Sequence, residues 1–233
     1  MQRLQFYFSR GEELIYISHL DIMRLLQRAM RRAGSPLAHT KGYNPQPRLS
    51  IAAPLPVGVT AKREPAEVYL EQNISPLNFV EDFNRQLPRG ILIEDAVEIS
   101  EEAPPLMQVI DAAFYHVYPF FEESSISPEK VRDGVEKIKH KEEITVRREG
   151  KKGWREIDIR PFIYRLEFKN NDGEEKNKLE LEMFLKTGSQ GGARPGEIVN
   201  LLGEMLGSPQ LPYQLRLNRV ALYRRDGQGW TPA

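Results

Sequence analysis

The chain has 233 residues, 33 basic and 33 acidic side chains and no cysteine. Zero cysteine excludes disulfides, thiolate zinc sites, cysteine nucleophiles and cysteine-held iron–sulfur clusters within this sequence. No apolar run approaches the roughly 20 residues that span a bilayer, and no charged-then-apolar signal pattern opens the chain, so a cytoplasmic protein without a membrane partner is expected.

Leu4-Gln5-Phe6-Tyr7-Phe8 alternates and is aromatic, which predicts a first strand. Ser18 to Gly34 predicts a helix: Ser18 caps it, Asp21 sits in the first turn, and Gly34 stops it. Leu20, Met23, Leu25, Leu26, Ala29, Met30 and Ala33 supply its apolar stripe, while Arg24, Arg28, Arg31 and Arg32 form a cationic ridge. His39 to Arg48 follows as a stiff loop with two prolines. Leu49–Ala52 and Glu67–Glu71 predict strands, with the Pro54–Val59 stretch between them unfit for a central strand because two prolines lack the N–H donor. Ser75-Pro76 opens a second helix with Leu77, Val80, Phe83 and Leu87 inward. Ile91–Ile99 gives the last strand of a β-α-β-β-α-β order.

Ser100–Pro105 reads as a linker, after which the order recurs. Ala112–Pro119 predicts a strand, Ser127-Pro128 opens a helix, and Glu143–Arg147 predicts another strand. Arg148–Arg155 reads as a basic hairpin tip. Two further strands, a Gly-rich loop over 188–192, a helix over 195–206 and a strand over 215–223 complete the chain. The expected fold class is α+β: two tandem ferredoxin-like domains over 1–103 and 104–233, each an antiparallel sheet with helices on one face.

Overall neutrality conceals segregation: bases dominate up to Arg48 and from Lys130 to Arg165, and acids from Glu64 to Glu102. Local cationic patches bind polyanions whatever the net charge. Arg24, Arg28, Arg31, Arg32, Lys41 and Arg48 are the expected phosphate contacts, since guanidinium forks match phosphate oxygens in pairs. Tyr43, Asn44 and Gln46 are expected to stack on or read a base. Lys151, Lys152, Trp154 and Arg155 offer a second cationic surface with an indole in it. The bland alternatives are a solvated helix face, a turn and an ordinary charged hairpin. His19 and His39 are candidates for general acid–base cleavage of RNA, which needs no metal when a 2′-OH attacks. His19 also reads as a helix-start hydrogen-bonding residue, or as a metal ligand with Asp21. No cofactor or metal is assigned to this chain. Gly188–Pro195 suggests a phosphate cradle but lacks P-loop and Rossmann spacing. Asp158-Ile159-Arg160-Pro161 looks too specific for a connector, without indicating a chemistry.

Ser18-His19-Leu20-Asp21-Ile22-Met23-Arg24, Gly42-Tyr43-Asn44-Pro45-Gln46-Pro47-Arg48 and Leu55-Pro56-Val57-Gly58 resemble the bacterial radical-SAM-linked family. Its later motifs resemble Lys151–Pro161 and Gly191–Pro195, so the likeness covers nearly the whole chain. That family is a domain of unknown function, found beside or fused to a radical SAM protein. Gln46 departs from its pattern, which favours histidine there. The resemblance implies a radical SAM protein as partner and, through gene neighbours, RNA or ribosome biology. A looser likeness of architecture is to the RAMP-type CRISPR RNA-processing endonucleases. The leading expectation is an accessory RNA-binding protein acting on tRNA or rRNA with a radical SAM enzyme. The alternatives are a metal-independent ribonuclease or RNA-modifying enzyme using His19 and His39, and a protein–protein adaptor for the radical SAM subunit.

Overall fold

The computed structural model describes residues 1–119, 126–150, 153–170, 179–188, 190–208 and 215–233. It divides into two compact units. Unit 1 comprises Met1–Ile110 with Arg219–Ala233, and unit 2 comprises Asp111–Asn218.

Unit 1 starts with strand β1 (Gln2–Arg10), helix α1 (His19–Arg32), β2 (Leu49–Ile51), β3 (Val59–Leu70), α2 (Pro76–Asn84) and β4 (Ile91–Ile99). β1 pairs antiparallel with both β3 and β4, and β2 pairs antiparallel with β3. Alternation in β1 sends Leu4, Phe6 and Phe8 into the core, as the two-residue period of a strand requires. Phe6 meets Phe79 and Phe83 of α2 at ring-centroid distances of 5.7 and 5.8 Å. Ile22, Leu26, Ala29 and Met30 are the buried face of α1. Ser18 caps that helix by accepting from the Asp21 amide at 3.2 Å. A short helix α3 (Leu106–Val109) ends this part.

Two details of the stripe differ from the spacing-based expectation. Leu20 is 65% exposed and so is Leu77, while Ile22 and Phe79 take the buried positions. Both outliers lie in a first helical turn, where the chain is still entering the layer. β3 begins at Val59 and carries Pro65 inside it, so the strand is twice as long as its alternating core suggests. Pro65 is accommodated because its carbonyl accepts from the Ala52 amide at 2.9 Å.

Unit 2 contains β5 (Ile110–Tyr118), α4 (Pro128–Lys139), the hairpin β6 (Thr145–Gly150) and β7 (Gly153–Asp158), then β8 (Ile163–Asn170), β9 (Leu179–Lys186) and α5 (Pro195–Met205). β9 pairs antiparallel with both β5 and β8. Val131, Val135 and Ile138 of α4 and Ile198, Val199 and Leu202 of α5 are buried. The two helices approach closely at Gly134: a Cβ there would stand 2.5 Å from Leu202 Cδ1.

The Asp158–Pro161 motif is a clasp. Asp158 Oδ1 accepts from the amides of Ile144 and Arg160, both at 2.9 Å. Arg160 donates to the carbonyls of Lys139 and Lys141 at 2.9 Å each, and to Ile163 at 3.2 Å. It therefore satisfies carbonyls that the end of α4 leaves open. The glycine-rich approach to α5 carries no empty cradle either. Glu197 Oε2 accepts from the Arg194 amide at 2.9 Å, and Arg148 binds Glu197 at 2.6 and 2.7 Å and the Gly192 carbonyl at 2.7 Å. The chain's own carboxylate takes the position an anion would use at that helix start. Ser189 of this loop lies outside the described residues.

The last elements are β10 (Arg216–Asp226) and β11 (Gly229–Pro232). β10 pairs with β3, so residues from Arg219 onward belong to unit 1. The expected division was a single cut near 103 with everything after it in one domain. The observed units differ because the final strand adds to the sheet of the first.

Candidate nucleic-acid interface

The most cationic concavity is an open groove of about 590 Å³ on unit 1, lined by Asp21, Arg24, Leu25, Arg28, Arg32, Arg85, Gln86, Leu87 and Pro88. Residues 24, 28 and 32 recur every four positions, so a helix places them on one face. The turn after α2 forms the opposite wall. Asn84 fixes that turn by donating to the Ile93 carbonyl and accepting from its amide, both at 2.8 Å.

The four guanidiniums are held differently. Arg24 pairs with Asp21 at 3.0 Å. Arg32 donates to the Gln86 carbonyl at 2.6 Å, joining the two walls. Arg85 pairs with Asp82 at 2.7 Å and Glu81 at 3.6 Å. Arg28 is exposed and makes no hydrogen bond or ion pair among the described residues. All the acidic partners are surface residues, so these pairs are weak and exchange readily for phosphate. Hydrogen bonds from Ser18 and then Arg24 hold the Asp21 carboxyl below its ordinary range.

The rest of the expected surface is not gathered here. Arg31 is exposed on α1 but does not line the groove, because its position turns it to another face. No residue of the diproline loop lines it either. That loop folds back on itself: the Thr40 amide donates to the Gln46 carbonyl at 2.8 Å, and the Gln46 amide to Thr40 Oγ1 at 3.0 Å. It is tied to the end of β3, where the Ala38 amide donates to the Tyr69 carbonyl at 2.9 Å. Arg48 stacks over Tyr69 with its guanidinium 3.6 Å from the ring centroid. Lys41, Asn44 and Gln46 are exposed, and Tyr43 is fully exposed. A single cleft made of helix ridge and loop, as the linear order suggests, is therefore not formed. The loop stands as a separate projection with a free aromatic ring at its tip.

In unit 2, Trp154 is 63% exposed on β7, and the Arg147 guanidinium lies 5.7 Å from its ring. Arg155 is exposed on the same strand. Lys151 and Lys152 lie outside the described residues.

His19 and His39 are not a catalytic pair. His19 is the first residue of α1, and His39 lies beyond its end. The helix between them has 14 residues and so is about 21 Å long, far beyond the reach of one scissile bond. His39 instead faces Pro47 in the loop ladder. Burial, then the charges of Arg219 and Arg10, push the His19 imidazole below its ordinary value, so it is neutral at neutral pH. Among the described residues, no three His, Asp or Glu side chains gather in a way that holds a metal ion.

Three important residues escape a reading by spacing. Arg85 reads as one cation near a helix end, and nothing in the linear sequence brings it to α1. Arg10 and Arg219 read as a turn residue and a strand residue. They are in fact among the most buried side chains of the molecule, 1% and 2% exposed. Arg219 binds Glu64 at 2.6 and 2.7 Å and the carbonyls of Ala53 and Pro54. Arg10 donates to the carbonyls of Pro56 and Val59.

Residues 3–195 match the model of the family described as "Uncharacterized protein conserved in bacteria (DUF2344)". The chain belongs to this family. No curated protein matches it. Among solved structures, it is similar to a chain of the archaeal box H/ACA sRNP Nop10-Cbf5 complex, at 10% identity and a TM-score of 0.44. The match covers 92% of this chain and 46% of that one, so this DUF2344 protein spans less than half of its structural neighbour. Likeness that distant does not constrain function. No helix of the described residues is long and apolar enough to cross a membrane.

Proposed function

We propose that this DUF2344 protein binds RNA through the arginine groove of unit 1. In this reading it is an accessory to a radical SAM enzyme acting on tRNA or rRNA in the cytoplasm. The observation that carries the RNA reading is the convergence of Arg24, Arg28 and Arg32 with Arg85 on one open groove. Guanidiniums spaced one helical turn apart, with only exposed acidic partners, suit a run of backbone phosphates. The fully exposed Tyr43 and the exposed Trp154 suit unstacked bases. The radical SAM partner rests on the resemblance of the Ser18–Arg24 and Gly42–Arg48 motifs. The sequence has no cysteine, so the cluster of such an enzyme would be held by the partner. The finer reading of the fold, two ferredoxin-like units in tandem, rests on the β-α-β-β-α-β connectivity of unit 1.

Filter binding of tRNA and rRNA fragments tests the RNA reading. The expected result is tight binding with a steep salt slope that shrinks when Arg28 and Arg85 are both changed to Glu. Binding that is absent at low salt, or unaltered by that double change, overturns it.

A further inference from the structure

The buried arginines carry a charge imbalance that the groove does not explain. Arg10 and Arg219 are both buried, and one carboxylate, Glu64, faces them. Two positive groups and one negative group leave a net charge of +1. Burial pushes Arg10 down to about 10, which still leaves it charged at neutral pH. Its Nε and Nη2 atoms donate to backbone carbonyls, but Nη1 is buried and has no hydrogen-bond partner. Buried donors are nearly always satisfied, so an orphan of this kind points to a missing acceptor.

The start of α1 belongs to the same neighbourhood. The charges of Arg10 and Arg219 both act on His19. The turn before the helix is tied to the loop that covers Arg10: the Gly58 amide donates to the Ile15 carbonyl at 2.7 Å. The first two helical amides, His19 and Leu20, have no hydrogen-bond acceptor among the described residues, whereas those of Asp21 and Ile22 are bonded to Ser18. α1 is 14 residues long, enough for a full positive end. The half-buried neutral imidazole of His19 adds one more donor.

We propose that this corner of unit 1 is a binding site for one phosphate group, held by Arg10, the His19 and Leu20 amides and the His19 ring. A phosphate supplies both the acceptor that Nη1 lacks and the negative charge that Glu64 alone does not provide. The site is separate from the arginine groove, which the proposed function uses, although Asp21 lines that groove one position further along α1. The phosphate can come from solution or from the end of an RNA strand.

The test uses the full chain in chloride buffer. Inorganic phosphate is titrated in at constant ionic strength and pH, with the His19 ring protons followed by NMR and the heat by calorimetry. The expected result is a saturable shift of the His19 signals, with the other three histidines unmoved. Arg10→Met should abolish the heat. Because Arg10 also holds the Pro56–Val59 loop, His19→Pro serves as a second variant. It removes one amide and the ring at a helix position where proline is tolerated, and should weaken phosphate at least tenfold. A 5′-phosphorylated oligonucleotide that displaces phosphate, where its 5′-hydroxyl twin does not, assigns the site to RNA ends. Lack of displacement assigns it to free phosphate. Absence of any saturable His19 shift, or a shift that both variants leave intact, overturns the proposal. Groove variants with Arg28 and Arg85 reversed should still bind phosphate, so failure of the two readings is distinguishable.

Discussion

Unit 1 uses the same side chain in two opposite ways. Arg3, Arg10 and Arg219 are buried and spend their donors on the chain itself. Arg3 binds Glu67 at 2.7 Å and carbonyls of residues 100–104, pinning the segment after β4. Arg10 and Arg219 do the same for residues 53–59. Arg24, Arg28, Arg32 and Arg85 stand at the surface, with partners that are exposed or absent. A guanidinium has five donors in a rigid fork. Where backbone carbonyls converge on it, it organises a loop; where water surrounds it, it stays available for a ligand. Burial and the number of carbonyls within reach decide which, and neither follows from residue type.

The sharpest way to break this contrast is to remove the carboxylate from the buried set. Glu64→Gln leaves two guanidiniums without a counter-charge and should cost about 3–5 kcal/mol of folding stability, read by urea unfolding, with RNA affinity of the folded fraction unchanged. Next comes the exposed set. Arg28→Glu combined with Arg85→Glu should lower RNA affinity at least about 30-fold near 100 mM salt. The melting temperature should hardly move, since surface changes away from caps and clamps cost within about 0.5 kcal/mol. A large loss of stability would mean that these two arginines belong with the buried class. Arg160 extends the comparison to unit 2. Arg160→Ala should cost about 1.5–3 kcal/mol, because charge-assisted bonds to carbonyls at the end of α4 are lost.

A smaller effect is expected from pH. The folded His19 has a depressed value, so the unfolded chain binds the proton first. Stability is therefore fully present above the unfolded value, near 6.5, and declines as pH falls from there toward the folded one. His19→Gln should flatten that part of a pH–stability profile between pH 7.5 and 5, and an unchanged slope would place the titration elsewhere. Smallest of all, Arg31→Glu should change RNA affinity less than about threefold. It lies on the same helix as Arg28 but off the groove, so a loss as large as that of the Arg28 and Arg85 pair would redraw the surface.

Much of the architecture can be read directly along the chain. Alternation at Leu4, Phe6 and Phe8, the Ser18 cap and the Ser-Pro starts of α2 and α4 act within a few residues, so the elements and their order are legible. The cationic ridge of α1 is legible for the same reason, as a period of four. What lies opposite that ridge is not. Arg85 comes to it because α2 packs on the same sheet through Phe79 and Phe83, an event more than 50 positions away in sequence. The diproline loop, adjacent in sequence, goes elsewhere because β3 captures its base at Ala38 and Arg48.

Sequence alone therefore determined which segments are helices and strands, the lack of any thiol chemistry, and the existence of a basic helix face. Those depend on short-range geometry and composition. Tertiary structure alone decided that Arg10 and Arg219 are interior, that His19 and His39 stand a helix length apart, and that the final strand returns to the first unit. Such facts depend on which distant segments exclude water from one another, and a side chain's neighbours across a sheet leave no periodic trace in the chain.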